Sequence, residues 1–290
     1  MRPFVRSTLA AATLSLCVFG AQAVTLVGLT SANQIARIDT TNIAAATATT
    51  ITGLAAGDRF VGIDLRPKDN KIYGVTLSSK LYTVDELTGA TTLVAALSSP
   101  VISAGLGYGI DFNPVADFGS GASLRLVSSS GSNFAINAAT GVVGNAASNI
   151  GAGFSAVGYS NSNPLPQAAP ASTTLYYINS NTDMLMKASS AFNAPSITAV
   201  GALGVDALKA NGFEVLGNGQ AYAALNLDDG SSLVTGLYSI NLGTGAASLI
   251  GSYNGTLSGL TVSAVPEPQT YALMLIGLAA LGSLTRRRSR

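Results

Sequence analysis

The phrase Leu81-Tyr82-Thr83-Val84-Asp85-Glu86-Leu87-Thr88-Gly89-Ala90 recurs along the chain. It returns as Phe134-Ala135-Ile136-Asn137-Ala138-Ala139-Thr140-Gly141-Val142 and as Leu237-Tyr238-Ser239-Ile240-Asn241-Leu242-Gly243-Thr244-Gly245-Ala246. A copy without the glycine, Ile35-Ala36-Arg37-Ile38-Asp39-Thr40-Thr41-Asn42, precedes them. Apolar and polar residues alternate with period two, which is the pattern of a strand. The Asp or Asn that follows can accept hydrogen bonds from the amides of a turn, and the glycine supplies a left-handed position. A second strand follows each turn. Repetition of such a unit constrains the fold more than any single motif does.

A second phrase punctuates the chain. It is Val61-Gly62-Ile63-Asp64-Leu65-Arg66-Pro67 and Tyr108-Gly109-Ile110-Asp111-Phe112-Asn113-Pro114, with looser copies around Gly158, Gly212 and Gly259. These glycines recur at intervals of about 50 residues, the length of a four-stranded propeller blade. The first full unit reads as strands over 60–65, 71–76, 80–85 and 90–96. The last unit has only its first strand, 257–263. Three strands without a partner, 26–31, 34–40 and 47–53, stand at the other end. A blade assembled from both ends closes the ring and removes its open edges. The spacing therefore predicts an all-β, five-bladed propeller over residues 24–264. A β-sandwich is the alternative, since short strands with frequent turns suit it too. Insertions at 115–121 and 161–172 fall between first and second strands, and Asp228-Asp229-Gly230-Ser231-Ser232 falls between a second and a third.

The two ends carry a different message. Arg2 and Arg6, an apolar run over 9–19 and Ala21-Gln22-Ala23 form the three parts of a secretory signal. The expected cleavage follows Ala23 and removes Cys17, the only cysteine, so no disulfide stabilises the mature chain. Sec-type export machinery and a signal peptidase are the implied partners. At the other end Val265-Pro266-Glu267-Pro268 precedes an apolar stretch over 271–284 and then Arg286-Arg287-Arg288. The apolar run is short for a bilayer span, and the arginines place its end on the cytoplasmic side. This order resembles the PEP-CTERM sorting tail of exported bacterial proteins. The resemblance implies recognition by an exosortase-type membrane peptidase, in bacteria that make extracellular polysaccharide. The expected location is the cytoplasmic membrane before processing and the cell surface or matrix afterwards.

The body carries a resemblance of its own. Thr52-Gly53-Leu54, the Val61 to Pro67 phrase and Ile72-Tyr73-Gly74-Val75 with the following Leu-Tyr-x-Val-Asp resemble a domain-of-unknown-function family of exported bacterial proteins. That resemblance implies export and a repeated β architecture, and it brings no catalytic residues.

Composition removes several chemistries. Without histidine, and with its one cysteine in the signal, the mature chain has no Ser-His-Asp or Cys-His site and no usual zinc site. The net charge of +1 hides Arg2, Arg6, Arg286, Arg287, Arg288 and Arg290 in the end segments. The middle is mildly acidic and offers nucleic acid no basic surface. The glycine-rich run Gly105-Leu106-Gly107-Tyr108-Gly109 introduces no helix, so crowding at an inner strand explains it better than phosphate binding.

One polar constellation remains. Two residues after each repeat glycine stand Asp64, Asp111, Ser160, Glu214 and Thr261. In a propeller such positions share one level around the axis. Asp64, Asp111 and Glu214 could converge to ligate Ca²⁺, which favours oxygen. They could instead act as the two carboxylates of a glycan hydrolase, which stand about 5–10 Å apart. Their third role is structural, as acceptors for turn or inter-blade amides. No cofactor is required by any of these residues. Extracellular polysaccharide is the candidate partner, although the lack of tryptophan weakens a stacking surface for sugars.

Overall fold

The computed structural model describes residues 23–99, 102–119, 121–144, 149–163, 168–228 and 233–264. The signal segment up to residue 22, the tail from Val265 onward and Asp229 to Ser232 lie outside them. Apart from one 3-10 turn, Ile43–Ala45, the regular elements among the described residues are strands.

The strands follow the repeat. β1 (Thr25–Thr30), β2 (Gln34–Asp39) and β3 (Thr47–Thr50) open the chain. β4 (Phe60–Arg66), β5 (Lys71–Thr76), β6 (Lys80–Val84) and β7 (Thr91–Ala96) form one complete antiparallel sheet. The next contains β8 (Tyr108–Phe112), β9 (Leu124–Ser128), β10 (Asn133–Ile136) and β11 (Val143–Gly144). Another contains β12 (Phe154–Tyr159), β13 (Leu175–Asn179), β14 (Met184–Ala188) and β15 (Ile197–Ala202). The last full sheet contains β16 (Gly212–Val215), β17 (Ala221–Asp228), β18 (Leu233–Ile240) and β19 (Ala247–Tyr253). β20 (Leu257–Val262) then pairs with β1, matching Leu26 to Val262 and Gly28 to Leu260. The result is a five-bladed propeller whose first sheet is built from both ends, as the spacing predicts.

The inner strands β4, β8, β12, β16 and β20 are neighbours around the axis. Crowding there explains the recurrent glycines. A Cβ on Gly109 would stand 2.8 Å from the Ala156 Cα and the Val157 nitrogen, and one on Gly212 would stand 2.6 Å from the Leu260 nitrogen. Apolar side chains fill the wedges between sheets: Val75 and Leu81 of one blade pack with Ile110, Phe112, Leu124 and Leu126 of the next. The strand tyrosines join this core, with Tyr159 and Tyr177 fully buried. Tyr73 meets Phe112 edge-on at 5.3 Å, a favoured ring geometry.

The repeated turn does two jobs. Asp85 Oδ1 accepts from the Leu87 and Thr88 amides at 2.9 and 2.8 Å. Asn137 does the same for Ala139 and Thr140, and Asn241 for Gly243 and Thr244. Gly89, Gly141 and Gly245 follow with φ of 70°, 72° and 83°. Each of these glycines also lies against the outermost strand of the preceding blade, at Thr50, Ala96 and Gly201. The Gly89 and Gly141 carbonyls accept from the Thr52 and Ser98 amides of that neighbour, both at 2.9 Å. The turn thus fixes strand register and joins blade to blade.

Crowding gives a direct test. Gly109→Ala forces the β8 and β12 backbones apart and should cost about 1–3 kcal/mol in urea denaturation, the usual cost of overpacking. Gly121→Ala, where nothing lies within 4 Å of the added carbon, should stay within about 0.5 kcal/mol of wild type.

Candidate functional site: a buried carboxylate ring

An innermost strand has a partner on one side only, so N–H groups on its other edge need acceptors from elsewhere. The polar column supplies them. The Asp64 Oδ2 accepts from the Phe112 amide of the next blade at 2.7 Å. The Asp111 Oδ1 accepts from the Tyr159 amide at 3.1 Å. Glu214 accepts from the Val262 amide. Thr261 Oγ1 accepts from the Leu65 amide at 2.9 Å and completes the circuit. In every case the acceptor reaches the residue just after the equivalent position of the next blade.

The fifth position is not Ser160. β12 carries a bulge between Phe154 and Ala156, opposite Asn179 and Ile178, where β4 carries one between Phe60 and Gly62. Ala156 therefore corresponds to Gly62, and Gly158 corresponds to Asp64. The placement of Gly109 against Ala156 and of the Asp111 bond on Tyr159 both agree. Ser160 lies beyond the strand, where its hydroxyl accepts from the Thr174 amide at 2.9 Å. Matching on glycine alone displaces the Gly158 repeat, the third in the series, by two residues. With glycine in the column, no side chain reaches from β12 to the Val215 amide. The Glu214 carboxylate accepts from that amide itself. One extra methylene lets Glu214 serve Val215 and Val262, which accounts for a glutamate where the other blades carry aspartate.

Asp64, Asp111 and Glu214 are 2–3% exposed, and one oxygen of each lies within 4.8 Å of the others. Thr261 ties two of them, with its Oγ1 2.9 Å from Asp64 and 2.8 Å from Glu214. Burial pushes the Asp64 carboxyl well above its ordinary 3.8, and the negative charge of Glu214 pushes it further. Burial, followed by the charges of Asp64 and Glu214, does the same to Asp111. Burial also raises Glu214, against the hydrogen bond from Thr261. Groups this close titrate together, and each holds its proton more tightly than a free carboxyl does.

Chemically, the ring can lose its charge to protons or to a cation. Oxygens within 4.8 Å of one another are compatible with ligands at 2.3–2.6 Å from Ca²⁺, but that ion takes six to eight oxygens. Here three carboxylates are already engaged by amides and Thr261. General acid–base work on a glycan needs room for the sugar beside the carboxylates. The axial cavity holds about 10 Å³, is lined at the level of Gly62, Gly109, Ala156, Gly212 and Gly259, and is not reached by any of the three acids.

Sequence reasoning passed over three other buried charges, Glu86, Asp117 and Arg125. Asp117, in the insertion after β8, ion-pairs with Arg66 at 2.7 Å and accepts from the Lys68 amide and the Ser123 hydroxyl. Arg125 lies in β9 with 5% exposure. The only signal for it was a lone cation inside Leu124-Arg125-Leu126-Val127, where alternation suggested a solvent-facing position. Asp228, by contrast, ends β17 in an exposed position, and the rest of its acidic loop lies outside the described residues.

The chain belongs to the family described as Domain of unknown function (DUF4394), which matches residues 34–261. Residues 264–289 match the PEP-CTERM protein-sorting motif, so the protein is exported and sorted by an exosortase. No curated protein matches the chain. Among solved structures it is similar to a calcium-binding protein, regucalcin, from Agrobacterium tumefaciens. That match has 16% identity and a TM-score of 0.41, and covers 77% of this chain and 68% of that one. A structural genomics protein of unknown function from Bacteroides thetaiotaomicron shows 12% identity and a TM-score of 0.41, covering 82% of this chain and 60% of that one.

The raised carboxyls fix the sign of a pH dependence. Below their ordinary values of 3.8 and 4.5, folded and unfolded chains are both protonated and the ring adds nothing. Above those values the folded ring retains protons that the unfolded chain has released. Stability therefore falls as pH rises toward the raised folded values. Urea midpoints should decline as pH rises above about 5 in wild type, and Asp111→Asn, which keeps an acceptor for Tyr159, should flatten that slope. A slope unchanged in the variant contradicts the proton-holding ring. A Tm raised by Ca²⁺ in wild type but not in the variant puts a cation there instead.

Proposed function

We propose that, once residues 1–23 are removed by signal peptidase after Sec-type export, the propeller is a non-enzymatic binding or scaffolding module. It serves at the cell surface or in the extracellular polysaccharide matrix. Before processing, residues 265–290 tether it to the cytoplasmic membrane, with Val265, Pro266, Glu267 and Pro268 presented to the exosortase and Arg286, Arg287 and Arg288 on the cytoplasmic side. The observation that carries this reading is the use made of the three acids. Each is committed to holding a neighbouring blade, and at 2–3% exposure none is open to a glycosidic bond. A hydrolase reading requires the same carboxylates to be reachable.

The route by which the chain leaves the propeller supports the tether. β20 ends at the face where first strands meet second strands, and the Glu86 carboxylate holds the chain there. It accepts from the Ser263 hydroxyl and the Ala264 amide, both at 2.8 Å, while Arg37 approaches Glu86 at 3.0 Å. The last described residue, Ala264, is thus fixed to the body where the matched sorting segment begins.

Two fractionations test this proposal. Deletion of residues 265–290 should move the protein out of the membrane fraction of the producing cells, and unchanged fractionation counts against the tether. The combined variant Asp64→Asn, Asp111→Asn, Glu214→Gln should keep its export and its association with the matrix. Release of reducing sugar from the producer's polysaccharide by wild type, lost in that variant, would replace the scaffold with an enzyme.

A further inference from the structure

Arg125 is the most deeply buried of the arginines whose contacts define this fold, yet it lacks an anionic partner. Arg37 and Arg66 are more exposed, and each has a carboxylate, Glu86 at 3.0 Å and Asp117 at 2.7 Å. Among the described residues no carboxylate comes within 4 Å of the Arg125 guanidinium. Its partners are neutral acceptors: Tyr159 Oη at 3.2 Å, Asn133 Oδ1 at 3.0 Å and Asn193 Oδ1 at 2.9 Å. They occupy three of the five N–H donors and fix the plane of the fork. A buried cation with only neutral partners retains its charge and most of its desolvation cost. Structural arginines in this protein do not leave that cost unmet.

The guanidinium lies at the base of an open cleft of about 460 Å³, within the size range of small-molecule sites. One wall is the turn after β8, with Asn113, and the other is the loop between β14 and β15, with Ser190, Phe192 and Asn193. The Phe192 ring is held edge-on to Tyr159 at 5.3 Å. Its carbonyl accepts from Asn133 Nδ2 at 3.2 Å, which anchors this loop to β10. No acidic side chain lines the cleft among the described residues. The chemistry is one planar cation, amide and hydroxyl groups beside it, and one aromatic side chain.

We propose that this cleft binds a carboxylate-bearing sugar, of the uronic acid class, with its carboxylate on Arg125. A single guanidinium balances one negative charge, and its fork matches the two oxygens of a carboxylate. A phosphate dianion would leave charge uncompensated. Asn113, Ser190 and Asn193 are suited to the hydroxyls of a sugar ring, and Phe192 to its apolar face. The inference gives a ligand class to the binding module proposed above. The two can fail separately: loss of matrix association with uronate binding intact defeats only the matrix reading, and absence of uronate binding defeats only this one.

Calorimetry on the full chain in mild detergent provides the test, with D-galacturonate, tri-galacturonate, D-glucose and inorganic phosphate as probes. Both uronates should bind saturably, and glucose and phosphate should not. Stronger binding of the trimer identifies a polymer as the source, while equal binding identifies the free sugar; both support the carboxylate site. Arg125→Gln should weaken uronate binding about tenfold or more through loss of the charge-assisted pair. Should that variant fail to fold, Ser190→Ala on the exposed loop should weaken uronate binding with the Tm unchanged, and Asn193→Ala should weaken it with a lowered Tm, since Asn193 also accepts from Arg125. Wild-type affinity in the loop variants or in a folded Arg125→Gln overturns the proposal. So does binding of phosphate or glucose in place of the uronates, or binding of no probe.

Discussion

Five strands packed around an axis present an edge of backbone N–H groups that no sixth strand can satisfy. Most of this propeller's polar chemistry follows from that constraint. Water would be the usual acceptor, but an axial space of about 10 Å³ has little room for it. Side chains of the preceding blade take its place at Phe112, Tyr159, Val262 and Leu65. Bringing three carboxylates together is a consequence of needing acceptors at one level around the axis, and their mutual repulsion raises their affinity for protons. The ring thereby joins blades that are distant in sequence, including the first complete blade and β20, the last strand among the described residues.

A second set of joints works further out. The Asp/Asn-x-x-Thr-Gly turns place a left-handed glycine against the outer strand of the preceding blade, where a side chain would overlap its backbone. The wedge between the β4–β7 and β8–β11 sheets is held at both ends, by the Asp64 carboxylate inside and the Gly141 turn outside. The face on which first strands end also carries the Arg125 cleft, the Arg66–Asp117 pair and the point where Glu86 fixes the departing chain. Loops on that face can vary without disturbing the packing at the axis.

The fold was legible because its period is written in backbone requirements. Glycine at a crowded inner strand and an Asx residue before a tight turn recur wherever the geometry recurs. The strands expected over 60–65, 71–76 and 80–85 fall within one residue of β4, β5 and β6. The site was legible in part: Asp64, Asp111 and Glu214 do share one level, as their spacing suggests. Ser160 misled because β12 has alanine where the other inner strands have the repeat glycine, and the next glycine stands two residues further on. Gly158 occupies the acid's place, and Ala156 the glycine's. Arg125 was invisible for another reason. Its polar position in an alternating strand suggests solvent, and only the fold of the 189–196 loop over it makes that position an interior one.

The central claim is that these carboxylates exist to satisfy inner-strand amides. Amide hydrogen exchange by NMR tests it most directly, in wild type and in Asp64→Ala at a pH where both are folded. The Phe112, Tyr159, Val262 and Leu65 amides should be among the slowest to exchange in wild type. Removal of the Asp64 carboxylate should release Phe112 far more than Tyr159. Rapid exchange at these four amides in wild type, or equal loss of protection at Phe112 and Tyr159 in the variant, would contradict the account.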